Sequence, residues 1–290
     1  MKTILVVANQ TLSGSALVER VLARAQEGDV RFVAVVPRNR PQSGLVIYDD
    51  AVRESAQLRV NLAVDYMRQR GVLAEGEVGD PDPFTAVMDA VDEHDPDEII
   101  LSTLPSTTSG WLRRDLISRV EHATGLPIEH VVVDPQTDRA PFTVTLIIAA
   151  RTARGRELHE RLMKRSGEDR QHVFIVVVPL QGKDGGATSR AHNRARALVG
   201  ELRADGLVAE GTVGDPDPFT AAMNAVQAFR IDEIVVSTYP DHRSGWQRAN
   251  LVERLKGAAG VPVDHVVAES EPAPAEASAG GATAGGREQA

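Results

Sequence analysis

The sequence contains no cysteine, and this absence removes several kinds of chemistry at once. Without thiols the chain has no disulfides, thiolate metal sites or cysteine nucleophiles, which fits a protein from a reducing compartment. Aromatic residues make up only 4% of the chain, so few rings are available to stack on nucleic acid bases. We therefore expect cores of Val, Ile, Leu and Ala and a cytoplasmic location.

Long apolar runs and an excess of positive charge are lacking as well. The first apolar stretch, Ile4 to Ala8, is far shorter than the roughly 18 residues that cross a bilayer, and no later run approaches that length. Acidic residues number 41 and basic ones 32, giving a net charge of −9, the wrong sign for a polyanionic partner. We expect neither a membrane-spanning segment nor binding to nucleic acid.

An internal repeat is the most informative feature of the sequence. GVLAEGEVGDPDPFTAVMDAV from Gly71 recurs as GLVAEGTVGDPDPFTAAMNAV from Gly206, 135 residues later. Residues 71–134 align with residues 206–269 without a gap, and about half of the aligned positions are identical. The segments that precede these ranges align more loosely. A duplication explains this pattern, so each copy is one complete unit.

The repeat sets the domain organisation. We predict one domain over residues 1–137 and a second over residues 140–270. The tail, residues 271–290, is rich in Ala, Gly, Pro and Glu, and its composition predicts disorder.

Each copy alternates short β-branched runs with amphipathic stretches, which is typical of a βαβ series with a parallel sheet. We predict five strands and four helices per copy, in doubly wound sheets with helices on both faces. The predicted strands lie near residues 3–8, 31–36, 73–78, 98–103 and 128–133, and near residues 145–149, 173–178, 208–213, 233–238 and 263–267. The helices of copy one follow Ser15, cover residues 50–70 and 83–94, and run from Trp111 to about His122.

A ligand of such a sheet binds beyond the carboxyl ends of its strands, where the strand order reverses. The loops after strands one and four of each copy lie there, and both are polar. The second loop reads STLPSTTSGW from Ser102 and STYPDHRSGW from Ser237. The candidate ligand-binding residues are Asn9, Ser102, Thr103, Ser109, Gly110 and Arg113 in copy one, and Arg151, Ser237, Thr238, Ser244, Gly245 and Arg248 in copy two.

Strand one, the GDP turn after strand three, the loop after strand four and the final strand of valines resemble the universal stress protein family. The resemblance covers residues 1–134 and 142–269. It implies a sheet of order 3-2-1-4-5 in each copy and pairing through the last strand. It also implies a stress-response or regulatory protein, with ATP bound in some members and not in others.

The nucleotide-binding members of that family share an Asp after strand one. They also share a loop of Gly, two residues, Gly, nine residues, Gly, then Ser or Thr. Asn9 and Ala150 stand at the Asp position. Without gaps the loop positions are Ser102, Pro105, Asp115 and Leu116, and Ser237, Pro240, Asn250 and Leu251; a two-residue insertion moves the last pair to Ile117 and Ser118, and to Val252 and Glu253.

Every glycine of the loop is missing, and proline has no N–H for a phosphate. We therefore expect degenerate ATP sites and assign no cofactor to the chain. The alternative is a sensor that binds ATP, AMP or another small anion through Ser and Thr hydroxyls and the helix dipole. The sequence contains no recognised hydrolase, P-loop or zinc motif, so we expect no enzyme, no catalytic residue and no metal site.

Several polar patterns have both a structural and a functional interpretation. Asp82 and Asp217 precede prolines, so helix capping is favoured over acid–base chemistry. In the repeated Ser-Gly-Trp we favour Ser109 and Ser244 as caps of helix four with a packed Trp, the alternative being a lid with an arginine anchor.

Two further patterns concern the last strand and the first loop of copy two. We assign His130 and His265 to the strand-pairing interface rather than to catalysis. The arginines at 151, 154 and 156 are solvated in one interpretation and bind phosphate in the other. We expect the last strands of the two copies to pair within the chain as a pseudo-dimer, because each is otherwise an exposed edge. A homodimer and an unidentified protein partner stay open.

Overall fold

The structure is a computed structural model that describes residues 1–38, 49–105, 109–111, 115–134, 137–138, 140–167, 171–182, 184–240, 245–248 and 250–268. They form two similar α/β units, unit 1 from residue 2 to 132 and unit 2 from residue 143 to 267. The predicted tail, 271–290, lies outside the described residues.

Unit 1 contains one parallel sheet with the strand order β3-β2-β1-β4-β5. Its strands are β1 (Lys2–Val7), β2 (Val30–Pro37), β3 (Leu73–Gly79), β4 (Glu98–Thr103) and β5 (Ile128–Val132). Its helices are α1 (Ser15–Gln26), α2 (Asp49–Arg68), α3 (Pro83–His94) and α4 (Leu116–Thr124).

Unit 2 repeats this sheet with the order β8-β7-β6-β9-β10. Its strands are β6 (Thr143–Ile148), β7 (His172–Pro179), β8 (Val208–Gly214), β9 (Glu233–Thr238) and β10 (Val263–Val267). Its helices are α5 (Arg156–Ser166), α6 (Ala187–Ala204), α7 (Pro218–Ala228), α8 (Gly245–Arg248) and α9 (Leu251–Ala258). The predicted fold class and strand order are confirmed in both units.

Each sheet is covered on both faces, because successive side chains of a strand point to opposite sides. In unit 1, Ile4 and Val6 are buried with residues of α1 and α2. Leu5 and Val7 are buried with residues of α3 and α4 on the other face. The continuous apolar runs of the sequence therefore form the central strands of doubly wound sheets.

Helix α2 joins the two units, because it has two apolar faces. Val60, Val64 and Met67 are buried against the sheet of unit 1. Leu58, Leu62 and Tyr66 belong instead to a core that is formed mainly by unit 2. This helix therefore contributes to both cores at once.

The surface of unit 2 that receives α2 is a row of valines in register. Val144 of β6 pairs with Val173 of β7, which pairs with Val208 of β8. In unit 1 the corresponding row is Thr3, Arg31 and Leu73, and Leu73 is 54% exposed whereas Val208 is 1% exposed. The repeat has therefore diverged where the units meet.

The part of the contact that α2 of unit 1 forms is also not repeated in unit 2. By the 135-residue offset, Leu58, Leu62 and Tyr66 of α2 correspond to Asn193, Ala197 and Glu201 of α6. Unit 1 thus provides a helix and unit 2 provides a sheet face. A two-fold contact would use the same surface twice, so this contact is heterologous.

The predicted pairing of the last strands within the chain is wrong. β5 and β10 lie at the edges of two separate sheets, and β4 and β9 are their only neighbours among the described strands. Val132 and Val267 on these edges are 48% and 41% exposed. The second apolar face of α2 holds the units together instead, a contact that the sequence pattern did not predict.

The fourth helix of unit 1 begins later than predicted, at Leu116 rather than at Trp111. Its N-cap position is Asp115, so Ser109 does not cap it. In unit 2 the short helix α8 precedes α9, whose N-cap position is Asn250. Helix α4 therefore begins later than the Ser-Gly-Trp pattern suggested, whereas in unit 2 a short helix begins at Gly245.

Candidate functional site

The loop after the first strand of each unit is tied to the end of the fourth strand by a threonine. Thr11 Oγ1 donates to the carbonyl of Ser102 at 3.3 Å, and Thr152 Oγ1 donates to the carbonyl of Ser237 at 2.9 Å. Both threonines are buried. They stand at the point where the strand order reverses, so they set the floor of each candidate site.

Two predicted residues of unit 1 are buried at this point. Asn9 Nδ2 donates to the carbonyl of Pro37 at 2.6 Å, which orients its amide across the ends of β1 and β2. Ser102 is 1% exposed, and its Oγ has no hydrogen-bond partner among the described residues. The hydroxyl of Thr103 lies 2.9 Å from Nε2 of His130. Asn9 and Ser102 therefore belong to the floor, whereas Thr103 is engaged with β5.

The remaining predicted residues of unit 1 are only partly described. Ser109 is buried and its N–H donates to the carbonyl of Pro105 at 2.8 Å, while Gly110 is exposed. Arg113 lies outside the described residues. Ser109 is thus held to Pro105, close to the end of β4.

In unit 2 the predicted residues surround a small cavity of about 160 Å³. It is lined by Ala150, Arg151, Thr152, Gln181, Ser237, Thr238, Tyr239, Gly245 and Trp246. The structure therefore brings together Arg151, Ser237, Thr238 and Gly245, as predicted. Ser244 and the side chain of Arg248 lie outside the described residues.

A cation and an aromatic ring stand at this cavity. The guanidinium carbon of Arg151 lies 5.9 Å from the ring centre of Tyr239, whose hydroxyl donates to the carbonyl of Arg151 at 3.3 Å. Ser237 Oγ is buried and has no hydrogen-bond partner in the described part of the chain. A cation and an unsatisfied buried hydroxyl together suit a small anion. The sequence did not single out Tyr239 as a site residue. Its counterpart in copy one is Leu104, so the repeat does not mark this position.

The three arginines of the first loop do not converge. Arg154 pairs with Glu201 at 2.7 Å, and Arg156 lies 3.8 Å from Glu160. Only Arg151 of the three lines the cavity. The solvated interpretation therefore describes Arg154 and Arg156 well.

The histidines of the last strands make equivalent contacts in the two units. His130 Nε2 lies 2.9 Å from Thr103 Oγ1, and His265 Nε2 lies 2.8 Å from Thr238 Oγ1. Burial lowers the pKa of His130. Because β5 and β10 do not pair with each other, the assignment of these histidines to a strand-pairing interface within the chain is wrong.

The residue before α4 and the residue before α9 both adopt a left-handed backbone conformation. Asp115 and Asn250 each have a φ of 51°. They occupy the third glycine position of the ungapped family alignment. Asp and Asn are the residues other than glycine that tolerate this conformation best. A left-handed backbone at these two positions therefore does not require glycine.

The GDPDPF sequences form the junctions between the third strand and the third helix. Asp82 accepts from the N–H of Thr85 at 3.1 Å, and Asp217 accepts from the N–H of Thr220 at 3.0 Å. A side chain at Gly79 would meet Ala86 at 2.7 Å, so a close helix–strand approach requires this glycine. The capping interpretation is confirmed.

One group of potential metal ligands was not predicted. Glu77, Glu93 and His94 place one ligand atom each within 4.8 Å of one another near the end of α3. His94 Nε2 lies 3.4 Å from Glu77 Oε2. We assign no function to this group.

A larger cavity of about 350 Å³ lies between the two units. It extends from Asn9 and Ser13 of unit 1 to Val173 and Arg230 of unit 2. The sequence did not predict this cavity, because its walls come from segments that only the interdomain contact brings together.

A search of the described helices for a membrane-spanning segment found none with sufficient length and apolar character.

No protein-family model matches the sequence, and no curated protein matches it. Among solved structures, the chain is similar to a universal stress protein from Archaeoglobus fulgidus (15% identity, TM-score 0.35), covering 92% of this chain and 96% of that one. It is also similar to a universal stress protein family protein from Arabidopsis thaliana with AMP bound (14% identity, TM-score 0.32), covering 47% of this chain and 94% of that one.

A third similar structure is a protein of unknown function from Pseudomonas aeruginosa, with 16% identity, a TM-score of 0.29 and coverage of 93% of both chains. At these identities and TM-scores the similarities add nothing to the fold that the strand order itself shows.

Proposed function

We propose that the chain is a non-enzymatic, cytoplasmic regulatory protein of the universal stress protein type, in which both nucleotide loops have degenerated. The observation that carries this proposal is the chemistry of the loop after strand four. Its backbone is left-handed at Asp115 and Asn250, but the loop has none of the family glycines. The sequence resemblance supplies the stress-related role.

The residue that replaces the third glycine opposes phosphate binding in unit 1. Asp115 stands at the N-cap position of α4, and its carboxylate accepts from Ser118 Oγ at 2.8 Å. A helix N-terminus attracts anions, but a carboxylate already placed there repels a phosphate. ATP binding in this loop is therefore disfavoured.

The neighbouring positions lack the usual donors as well. Leu116 and Leu251, each 1% exposed, are buried core residues where the family has a hydroxyl. Pro105 and Pro240 stand at a second glycine position and have no N–H to donate. Both losses occur in both units, and this supports a protein that acts without nucleotide.

Calorimetric titration of the nucleotide-stripped full chain with ATP and AMP at physiological salt tests this proposal. We expect no saturable heat below about 1 mM, where binding is worth roughly 4 kcal/mol. A variant that combines Pro105→Gly with Asp115→Gly should gain ATP affinity, whereas Asp115→Asn, the control, removes only the charge. Micromolar ATP binding by the unmodified chain, or its conversion of ATP to AMP, contradicts the proposal.

A second candidate function, a small-anion sensor, rests on unit 2 alone. Arg151 and the buried hydroxyl of Ser237 both line its cavity, and no Asp or Glu is among the described lining residues. Drug-sized ligands occupy cavities of about 300 Å³ or more, so a cavity of about 160 Å³ favours an anion such as phosphate over a nucleotide.

Titration with inorganic phosphate and sulfate distinguishes the two functions. The sensor predicts saturable binding that falls at least tenfold in Arg151→Met and less in Ser237→Ala. Gln10→Met, the corresponding change in unit 1, is the matched control and should leave binding unchanged. The sensor is refuted when Arg151→Met binds phosphate as well as the unmodified chain does.

A further inference from the structure

The cavity between the two units combines apolar walls with two cations. Leu12 and Leu62 of unit 1 lie on one wall, and the other wall is formed by Val144, Val173 and Phe229 of unit 2 and by Phe142, which directly precedes it. Its volume of about 350 Å³ lies in the range of small-molecule sites, which are mostly apolar with a few placed polar groups. Arg59 and Arg230 supply the charge.

Both arginines use backbone carbonyls as partners. Arg59 Nη1 donates to the carbonyl of Ala228 at 3.0 Å, and Arg230 Nη1 donates to the carbonyl of Asp138 at 2.5 Å. Neither forms an ion pair with a carboxylate in the described part of the chain. The described lining of the cavity contains no Asp or Glu either. Two positive charges thus face a mostly apolar space, and none of the described residues that line it carries a counter-charge.

Of the two arginines, Arg59 has the larger free-energy cost of desolvation. Its Nε is fully buried and has no acceptor among the described residues. Burial lowers the pKa of this guanidinium. An arginine keeps its proton nevertheless, so the buried charge remains and calls for an anion.

The cavity is a feature of the junction and not of the repeat. Gln227 and Arg230, which line it in unit 2, correspond to Asp92 and Asp95 in unit 1. Arg194, the counterpart of Arg59, lies on α6, where the adjacent Asn193 is exposed. The duplication therefore did not create two such sites.

We propose that this interdomain cavity binds a small amphipathic monocarboxylate, whose carboxylate contacts Arg59 and Arg230 and whose apolar body packs on Phe142, Val144 and Val173. One carboxylate offsets one of the two positive charges, and guanidinium groups match its two oxygens in geometry. A polyphosphate would bring more charge and too little apolar surface for these walls. The ligand would also contact both units at once and so stabilise their arrangement.

The probes for the test are octanoate and its neutral isostere octanamide, titrated calorimetrically into the full chain below the concentrations at which they aggregate. We expect saturable binding of octanoate and at least tenfold weaker binding of octanamide. Arg59→Met and Arg230→Met keep most of the apolar stem and should each weaken octanoate at least tenfold. Arg194→Met is the matched control and should bind octanoate as the unmodified chain does.

The location of the probe is measured separately by nuclear Overhauser contacts between octanoate and valine methyl groups. Contacts to Val144 and Val173 support the proposal even where Arg59→Met does not fold. Equal affinities for octanoate and octanamide, unchanged affinity in Arg230→Met, contacts only to other valines, or no saturable binding of octanoate each overturn it. The phosphate titration above addresses a different cavity, so the two proposals fail independently.

Discussion

The ring of Tyr66 lies 4.5 Å from the ring of Phe142, centre to centre, at an interplanar angle of 54°. Tyr66 belongs to α2 of unit 1, and Phe142 directly precedes β6 of unit 2. Both side chains are almost fully buried. Tilted aromatic pairs of this kind add about 0.5–1.5 kcal/mol to the free energy of burial, so this contact is a central part of the interface.

Replacing Phe142 with alanine should therefore lower the free energy of unfolding by about 3–5 kcal/mol, because a buried ring is lost and a cavity remains. The measurement is urea unfolding followed by circular dichroism. Leu73→Ala is the control, since Leu73 is 54% exposed at the edge of unit 1 and its loss should cost less than about 0.5 kcal/mol. Similar losses in the two variants would show that α2 does not hold the units together.

Asp138 lies in the linker between the two units, residues 133–142, and caps helix α1. Its carboxylate accepts from the N–H of Ser15 at 2.8 Å and from the N–H of Ala16 at 3.3 Å. The N-cap residue, Gly14, has no side chain to do this. Asp138→Ala should cost about 0.5–2 kcal/mol, whereas Asp138→Asn should cost much less, since asparagine caps almost as well.

Amide hydrogen exchange in the first turn of α1 measures this effect locally. Faster exchange at Ser15 and Ala16 in Asp138→Ala, but not in Asp138→Asn, is the expected result. Unchanged exchange at both residues would mean that the linker contributes nothing to the stability of this helix.

Asp217 should stabilise α7 in a pH-dependent way. Burial raises the pKa of its carboxyl, but hydrogen bonds from the N–H and hydroxyl of Thr220 outweigh this and lower the pKa below its ordinary value of 3.8. The folded chain then holds this proton less tightly than the unfolded chain does. The stabilisation is therefore complete above about pH 4 and is lost as the pH falls through the lowered pKa.

At pH 7, Asp217→Ala should cost about 1 kcal/mol of unfolding free energy, and the cost should shrink in acid. Asp217→Asn keeps a cap without a titrating group and serves as the control. The measurement is the difference in urea midpoint between each variant and the unmodified chain, at pH 7 and pH 3. A cost in Asp217→Ala that does not change with pH would contradict the assignment.

His130 predicts a pH effect of the same sign as that of Asp217, but at a higher pH. Burial lowers its pKa from the ordinary value of 6.5, so the unfolded chain binds this proton more tightly than the folded chain. The free energy of unfolding should therefore fall as the pH drops through about 6.5. Thr103 Oγ1 donates to the carbonyl of Leu104, so it accepts from the neutral ring of His130.

The variant His130→Gln retains a donor for Thr103 but does not titrate. Urea midpoints of the variant and the unmodified chain between pH 8 and pH 5.5 make the comparison. The unmodified chain should lose more stability over this range than the variant does. Parallel pH profiles would show that partial desolvation of the exposed His130 does not lower its pKa.

The elements of the candidate sites were predictable to different degrees. Arg151, Ser237, Thr238 and Gly245 follow from the rule that ligands bind at the carboxyl ends of parallel strands, and the structure brings them together. The positive φ of Asp115 did not follow from its sequence, because the backbone conformation depends on where α4 begins. The hydrogen-bond partners of Arg59 and Arg230, the carbonyls of Ala228 and Asp138, lie far away in the sequence. No local sequence pattern therefore predicts these contacts.

The sequence by itself determined the duplication, the alternation of strands and helices and the caps at Asp82 and Asp217. These depend on local periodicity and on residues a few positions apart. Tertiary structure alone decided how the two units meet. The apolar face of α2 at Leu58, Leu62 and Tyr66 is visible in the sequence, but the sheet face that covers it is formed by three strands far apart in the chain. The hydrophobic effect depends on the apolar area buried and does not specify which surfaces meet. The choice between packing α2 on this sheet face and pairing the units through β5 and β10 is therefore made only by the folded surfaces.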